Sequence, residues 1–169
     1  MLSVRFNEVA AGVLDLRAAI PPTDLAPELR DLVTEGVLLR GGALVFARHA
    51  DQADRTPGFA EDPICWECSM SSFHLDDVLP VHLGQLPGEP VISEPDQLLM
   101  LRHGLGFALE IARLVSALPA AVCCIVSANS TNGTFRFHQA RQGESWLSPD
   151  LDAYRLEKLI VVEHGPASA

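Results

Sequence analysis

The chain has 169 residues, 48% of them hydrophobic and 20% charged, and 22 acidic against 12 basic side chains give it a formal net charge of -10. That length and composition predict one globular domain, residues 1–169, with a core that needs no disulfide staples, and they exclude a mainly disordered chain. The charge argues against binding nucleic acid or an anionic membrane, because both draw affinity from basic side chains, and it favours a basic macromolecular partner.

Asn7, Glu8 and Asp15 interrupt any signal-like apolar run near the N-terminus, and the most apolar segment, 114–128, is too short to span a bilayer and contains Pro119. Four cysteines without an export signal then point to reduced thiols in a cytoplasmic protein. In that compartment the Asn-x-Ser/Thr sites at Asn129 and Asn132 carry no glycosylation meaning.

Val9, Val13, Leu14, Leu16 and Ile20 fall at roughly helical spacing, predicting a first helix from Asn7 to Ala19 that Pro21 and Pro22 end. Thr23 or Asp24 can cap a second helix through Glu35, with Leu25, Leu29, Leu32 and Val33 buried. Asp24, Glu28, Asp31 and Glu35 then form an acidic ridge, either a solvated face or a surface for a basic partner. VLLRGGALVFAR reads as a hairpin turning at Gly41-Gly42, residues 51–63 as a loop, Ile64 to Phe73 as a strand, residues 74–89 as irregular, and Pro90 to Ile92 as a short strand.

Ser93 opens a long, mostly buried helix with a capping spacing to Asp96, and Glu94 and Asp96 suit the positive end of its dipole. Gly104 and Gly106 inside it imply a close backbone approach or a bend, since each costs up to about 1 kcal/mol relative to alanine. AAVCCIVSA, apolar on both faces, reads as a central strand. Asn132-Gly133 turns it into a return strand whose Phe135 and Phe137 face the core while Arg136 and His138 face water. Residues 141–154 form a loop with a helical turn after Ser148, LEKLIVVEH closes the sheet, and 164–169 is a frayed tail. The whole predicts an α+β domain: a mainly antiparallel sheet, a long buried helix and two N-terminal helices packed on it.

Cys65 and Cys68 can be a redox couple or, with His74 and His82, four zinc-compatible ligands, but their spacing matches no usual zinc pattern and packed structural cysteines account for them better. His74, Asp76 and Asp77 with Cys123 or Ser127 contain the groups of an acid-base or nucleophilic site, but Cys123 and Cys124 sit in an apolar strand where thiols are inert. There is no Walker loop, GxSxG elbow, GxGxxG fingerprint or HExxH pair, and no cofactor is implied. His103 reads as a core residue. Trp146 and Tyr154 flank a loop with Glu144, Asp150 and Asp152, a combination used as an interface anchor, although the large apolar area of Trp146 favours its packing against the sheet.

The stretch NGTFRFHQARQGESWLSPDLDAYRLEKLIVVE, from Asn132 to Glu163, resembles small acidic immunity proteins of bacterial contact-dependent or polymorphic toxin systems in its order of hairpin, Trp-bearing loop and closing strand. The resemblance extends to size, acidity and the α+β outline, and it carries no single functional residue across. It implies a cytosolic protein that covers a toxin's active site and has no catalysis of its own. The partner surface is then Asp24, Glu28, Asp31 and Glu35, or the loop with Trp146, Asp150 and Asp152. The alternatives are a small enzyme or metal protein centred on Cys65, Cys68, His74 and His82, and an adaptor that self-associates through the long helix or a strand edge.

Overall fold

The computed structural model describes residues 1–54, 62–86 and 89–165. The chain begins with β1 (Leu2–Phe6), α1 (Glu8–Ala11), α2 (Pro27–Glu35), β2 (Val37–Arg40), β3 (Ala43–Phe46) and α3 (Ala50–Ala53). It continues through α4 (Pro63–Ser71), β4 (Phe73–His74), α5 (Leu75–Val78), β5 (Leu83–Leu86) and β6 (Glu89–Ile92). The long helix α6 (Glu94–Val115) leads into β7 (Val122–Ala128), β8 (Gly133–Gln139) and β9 (Lys158–His164). Five strands form one antiparallel sheet in the order β1-β9-β7-β8-β4, while β2-β3 and β5-β6 are separate hairpins.

This is the expected α+β domain built on an antiparallel sheet and a long helix. Every residue of β7 is buried, because the strand is central and covered on both sides. On one face α6 packs through Phe107, whose ring meets Phe135 edge-on at 4.7 Å. On the other, Cys123, Ile125 and Val161 are covered by Leu147 and Leu151 from the connection between β8 and β9.

Ser93 caps α6 as its spacing implies, its hydroxyl accepting the Asp96 N–H at 3.3 Å. The two helix glycines mark close approaches: a Cβ on Gly106 would lie 2.2 Å from the Ile20 carbonyl oxygen, and one on Gly104 would lie 2.4 Å from a Val126 methyl. Ile20 is held there by its N–H, which donates to the Arg102 carbonyl at 3.1 Å. Gly41 and Gly42, both at positive φ, turn the β2-β3 hairpin.

Several segments differ from the sequence-based expectation. The first segment is a strand followed by helix only over Glu8–Ala11 and a 3-10 turn at Leu16–Ala18, because the Asn7 carboxamide caps a helix that stops four residues later. Residues 64–71 are helical, not a strand: the Asp62 carboxylate accepts the N–H groups of Ile64 and Cys65, and Pro63 takes the first helical position. Asp24 belongs to a separate 3-10 turn, since Pro27 starts α2. His138 is buried, because the connection after β8 and α4 cover the face that alternation assigned to water. β9 joins the sheet between β1 and β7, and His164 belongs to it and not to the tail; the rest of the expected tail after Gly165, and most of the 51–63 loop, fall outside the described residues.

Candidate functional site

Leu29 and Leu32 turn one side of α2 into the core, so Glu28, Asp31 and Glu35, spaced by three and four, share its outer face. Arg48, just past β3, reaches back to that face and binds Glu35 through two parallel bonds, each 2.6 Å. This hydrogen bonding holds the Glu35 carboxyl below its ordinary range and pushes the Arg48 guanidinium up. Next to the pair lies a cleft of about 270 Å³ between α2, the end of β3, the end of α4 and α5. Leu32, Phe46, Phe73 and Val78 supply its apolar surface, and Glu28, Asp31, Asp77, Arg48, His49 and His74 its charged and titratable rim.

The cleft combines charged side chains of both signs with apolar surface. Three carboxylates face one guanidinium that Glu35 already neutralises, over aromatic and aliphatic surface that can cover a methylene stem.

Of the sequence-predicted ridge, the structure brings Glu28 and Asp31 to the cleft, spends Glu35 on Arg48, and leaves Asp24 exposed outside it. The Trp146 loop lies elsewhere. Trp146 is 38% exposed, with the Arg136 guanidinium 5.5 Å from its ring, and Arg136 points to the sheet face opposite Phe135 and Phe137, away from α6. Asp152 accepts the Glu8 N–H at 2.6 Å and Asp150 the Asp152 N–H at 3.1 Å, so both carboxylates fasten the β8-β9 connection. The two predicted partner surfaces are therefore on different faces.

Cys65, Cys68, His74 and His82 do not converge. Cys65 is exposed, and Cys68 is buried on α4, its thiol pushed up to about 12 by burial. His74 sits 3.8 Å from Asp76, whose same oxygen accepts the Gly133 N–H, and His82 is exposed beyond α5. Among the described residues no group of three or more His, Cys, Asp or Glu is placed to hold a metal ion. Burial also raises the thiol of Cys123 to about 12 and that of Cys124 well above its ordinary value, and Ser127 is bonded to Thr134 at 2.8 Å.

Sequence reading named His74 and Asp77 only as part of an acid-base grouping and did not bring them, or Arg48 and His49, beside the α2 ridge. Arg48 and His49 come from the 3-10 turn after β3 and Asp77 from α5, two short elements whose meeting no local pattern announces. It also missed Glu67, which is fully buried and whose only local signal was a charge inside an apolar run.

A family model matches residues 14–168, nearly the whole chain. The chain belongs to the Uncharacterized protein PM0498 family. The family match spans both the α2 cleft and the Trp146 loop. Searches of curated proteins and of solved structures found no match. Among the described residues no helix is long and apolar enough to cross a membrane.

Proposed function

We propose that this is a non-catalytic cytoplasmic binding protein, an immunity protein in class, that neutralises a cognate basic toxin by covering its active site. The observation that carries the reading is the cleft. Glu28, Asp31 and Asp77 stand over Leu32, Phe46 and Phe73, and the arginine lining it is held by Glu35. A lysine or arginine of the toxin inserts there, with its stem on the phenyl rings and its charge on the carboxylates. The net charge of -10 steers a basic surface towards the site, and close charge pairs in such complexes contribute on the order of 1.5–7 kcal/mol each.

The test is protection and binding with a basic protein toxin encoded beside this gene. Co-expression should rescue growth, and the purified pair should bind in calorimetry with an affinity that falls at high salt and in Asp31→Asn/Asp77→Asn. No rescue by the native chain, or binding indifferent to both salt and these substitutions, would overturn the reading.

A further inference from the structure

The two edges of the main sheet are finished differently. At the β8 edge, β4 pairs with Thr134 and Phe135, and α4 takes over beyond it. The Ser71 hydroxyl accepts the Phe137 N–H at 2.8 Å and donates to the Phe137 carbonyl at 2.7 Å, and Glu67 accepts the Gln139 N–H at 3.1 Å. That edge is closed to a further strand.

Among the described residues the β1 edge has no such cover. Met1 and Gly165 exchange backbone hydrogen bonds, and the Asn7 N–H donates to the Leu159 carbonyl at 3.1 Å. In an antiparallel ladder bonded pairs alternate, so odd residues of β1 bond β9 and the N–H and C=O groups of Leu2, Val4 and Phe6 point out of the sheet. Among the described residues nothing bonds them. The strand has no proline and pairs with β9 in unbroken register without a bulge, and its one charge, Arg5, is paired with Glu163.

The geometry points to a second copy of this chain as the occupant, its β1 pairing antiparallel with this one about a two-fold axis through Val4. The register is self-complementary. Val4 meets the partner's Val4 and Leu2 meets the partner's Phe6, so every outward N–H and C=O finds its counterpart. The same pairs set apolar side chains opposite one another on the face where Val4 and Phe6 already pack on the core, and they cover Leu2, now 50% exposed.

Charge on the other face agrees. Arg5 meets the partner's Ser3, so no like charges stand directly opposite. Ser3 is also the register partner of Glu163, which makes one row of Glu163, Ser3 and the partner's Arg5. Its ends are two strand spacings apart, about 10 Å, a gap that a glutamate and an arginine close over a serine. Within one chain Arg5 already lies 3.6 Å from Glu163, both roughly 40% exposed, so the joint gives each arginine a second carboxylate. Phe73 and His74 of the cleft belong to the opposite side of the sheet, so dimerisation leaves both clefts open and doubles their valency. The dimer stands independently of what the cleft binds.

Sedimentation velocity and amide hydrogen exchange on the native chain, Val4→Pro and Ser3→Arg test this. The Val4 N–H is unused within the chain, so proline there is compatible with its own sheet yet removes the central intermolecular donor. Ser3→Arg sets an arginine opposite the partner's Arg5 at an exposed position, which separates loss of pairing from loss of fold. The expected result is a native dimer whose Leu2, Val4 and Phe6 amides lose protection on dilution while Ser3 and Arg5 stay protected, and monomers for both variants with unchanged circular dichroism. A native chain that stays monomeric at high concentration, or a dimer that persists in Ser3→Arg with those three amides unprotected, would overturn it.

Discussion

The Glu67 carboxylate, with no exposed surface, is gripped by both terminal nitrogens of Arg141, at 2.8 and 3.0 Å, across 74 residues of sequence. Its remaining acceptor positions take the N–H groups of Leu44 at 2.8 Å and Gln139 at 3.1 Å, so one side chain ties α4 to β3 and to the end of β8. Donating to Glu67 in turn pushes the Arg141 guanidinium up. Removing Arg141 strands a buried charge, which costs about 3–5 kcal/mol in comparable sites. Arg141→Ala should therefore lower unfolding free energy by about that much in urea titration. Arg113→Ala, which breaks an exposed pair with Glu110, should cost under about 1 kcal/mol. Equal losses would mean that the Glu67 pair is only decorative.

Gly106 is fixed by backbone, not by side chains. Any Cβ there meets the Ile20 carbonyl, and Ile20 is bonded to Arg102 on the same helix. Gly106→Ala should destabilise by about 1–3 kcal/mol although alanine is the better helix former, because the overpacking exceeds the propensity gain. Thermal melts of the two proteins decide it, and a neutral or stabilising substitution would show that residues 18–20 can move off α6.

His103 should make the fold acid-sensitive. Its Nδ1 accepts the Ala26 N–H at 3.4 Å, and burial, then the neighbouring Arg102, holds its pKa below the ordinary 6.5. As pH falls below 6.5 the unfolded chain takes up the proton first, so stability present above that pH is lost until the lower folded value is passed. His103→Gln should lose less stability than the native chain between about pH 7.5 and 5.5 in urea titrations. Parallel losses would show that His103 does not titrate in this way.

The parts of the fold legible in the sequence were those whose signal is local. Ser93 with Asp96, the unbroken apolar run of β7, the Phe135/Phe137 alternation and the Gly41-Gly42 turn each act over a few residues, and each formed as read. Residues 64–71 misled because apolar and polar side chains alternate like a strand, while the stronger indication, Asp62 as cap before Pro63, lay just upstream. β1 was obscured by the helical spacing that follows it. The cleft was half visible: Glu28 and Asp31 lie on one helix face by period alone, whereas Arg48, His49 and Asp77 join them only through the packing of β3 and α5 around Phe46 and Phe73.

The most direct test of the cleft is a two-dimensional NMR titration of the native chain with N-acetyl-arginine amide and with its neutral isostere, N-acetyl-citrulline amide. Arginine should shift the amides of Leu32, His49, Phe73 and Asp77, the shifts should shrink with added salt and vanish in Asp31→Asn/Asp77→Asn, and citrulline should leave them in place. Equal responses to both compounds, or arginine shifts confined to residues outside the cleft, would contradict a receptor for a basic side chain.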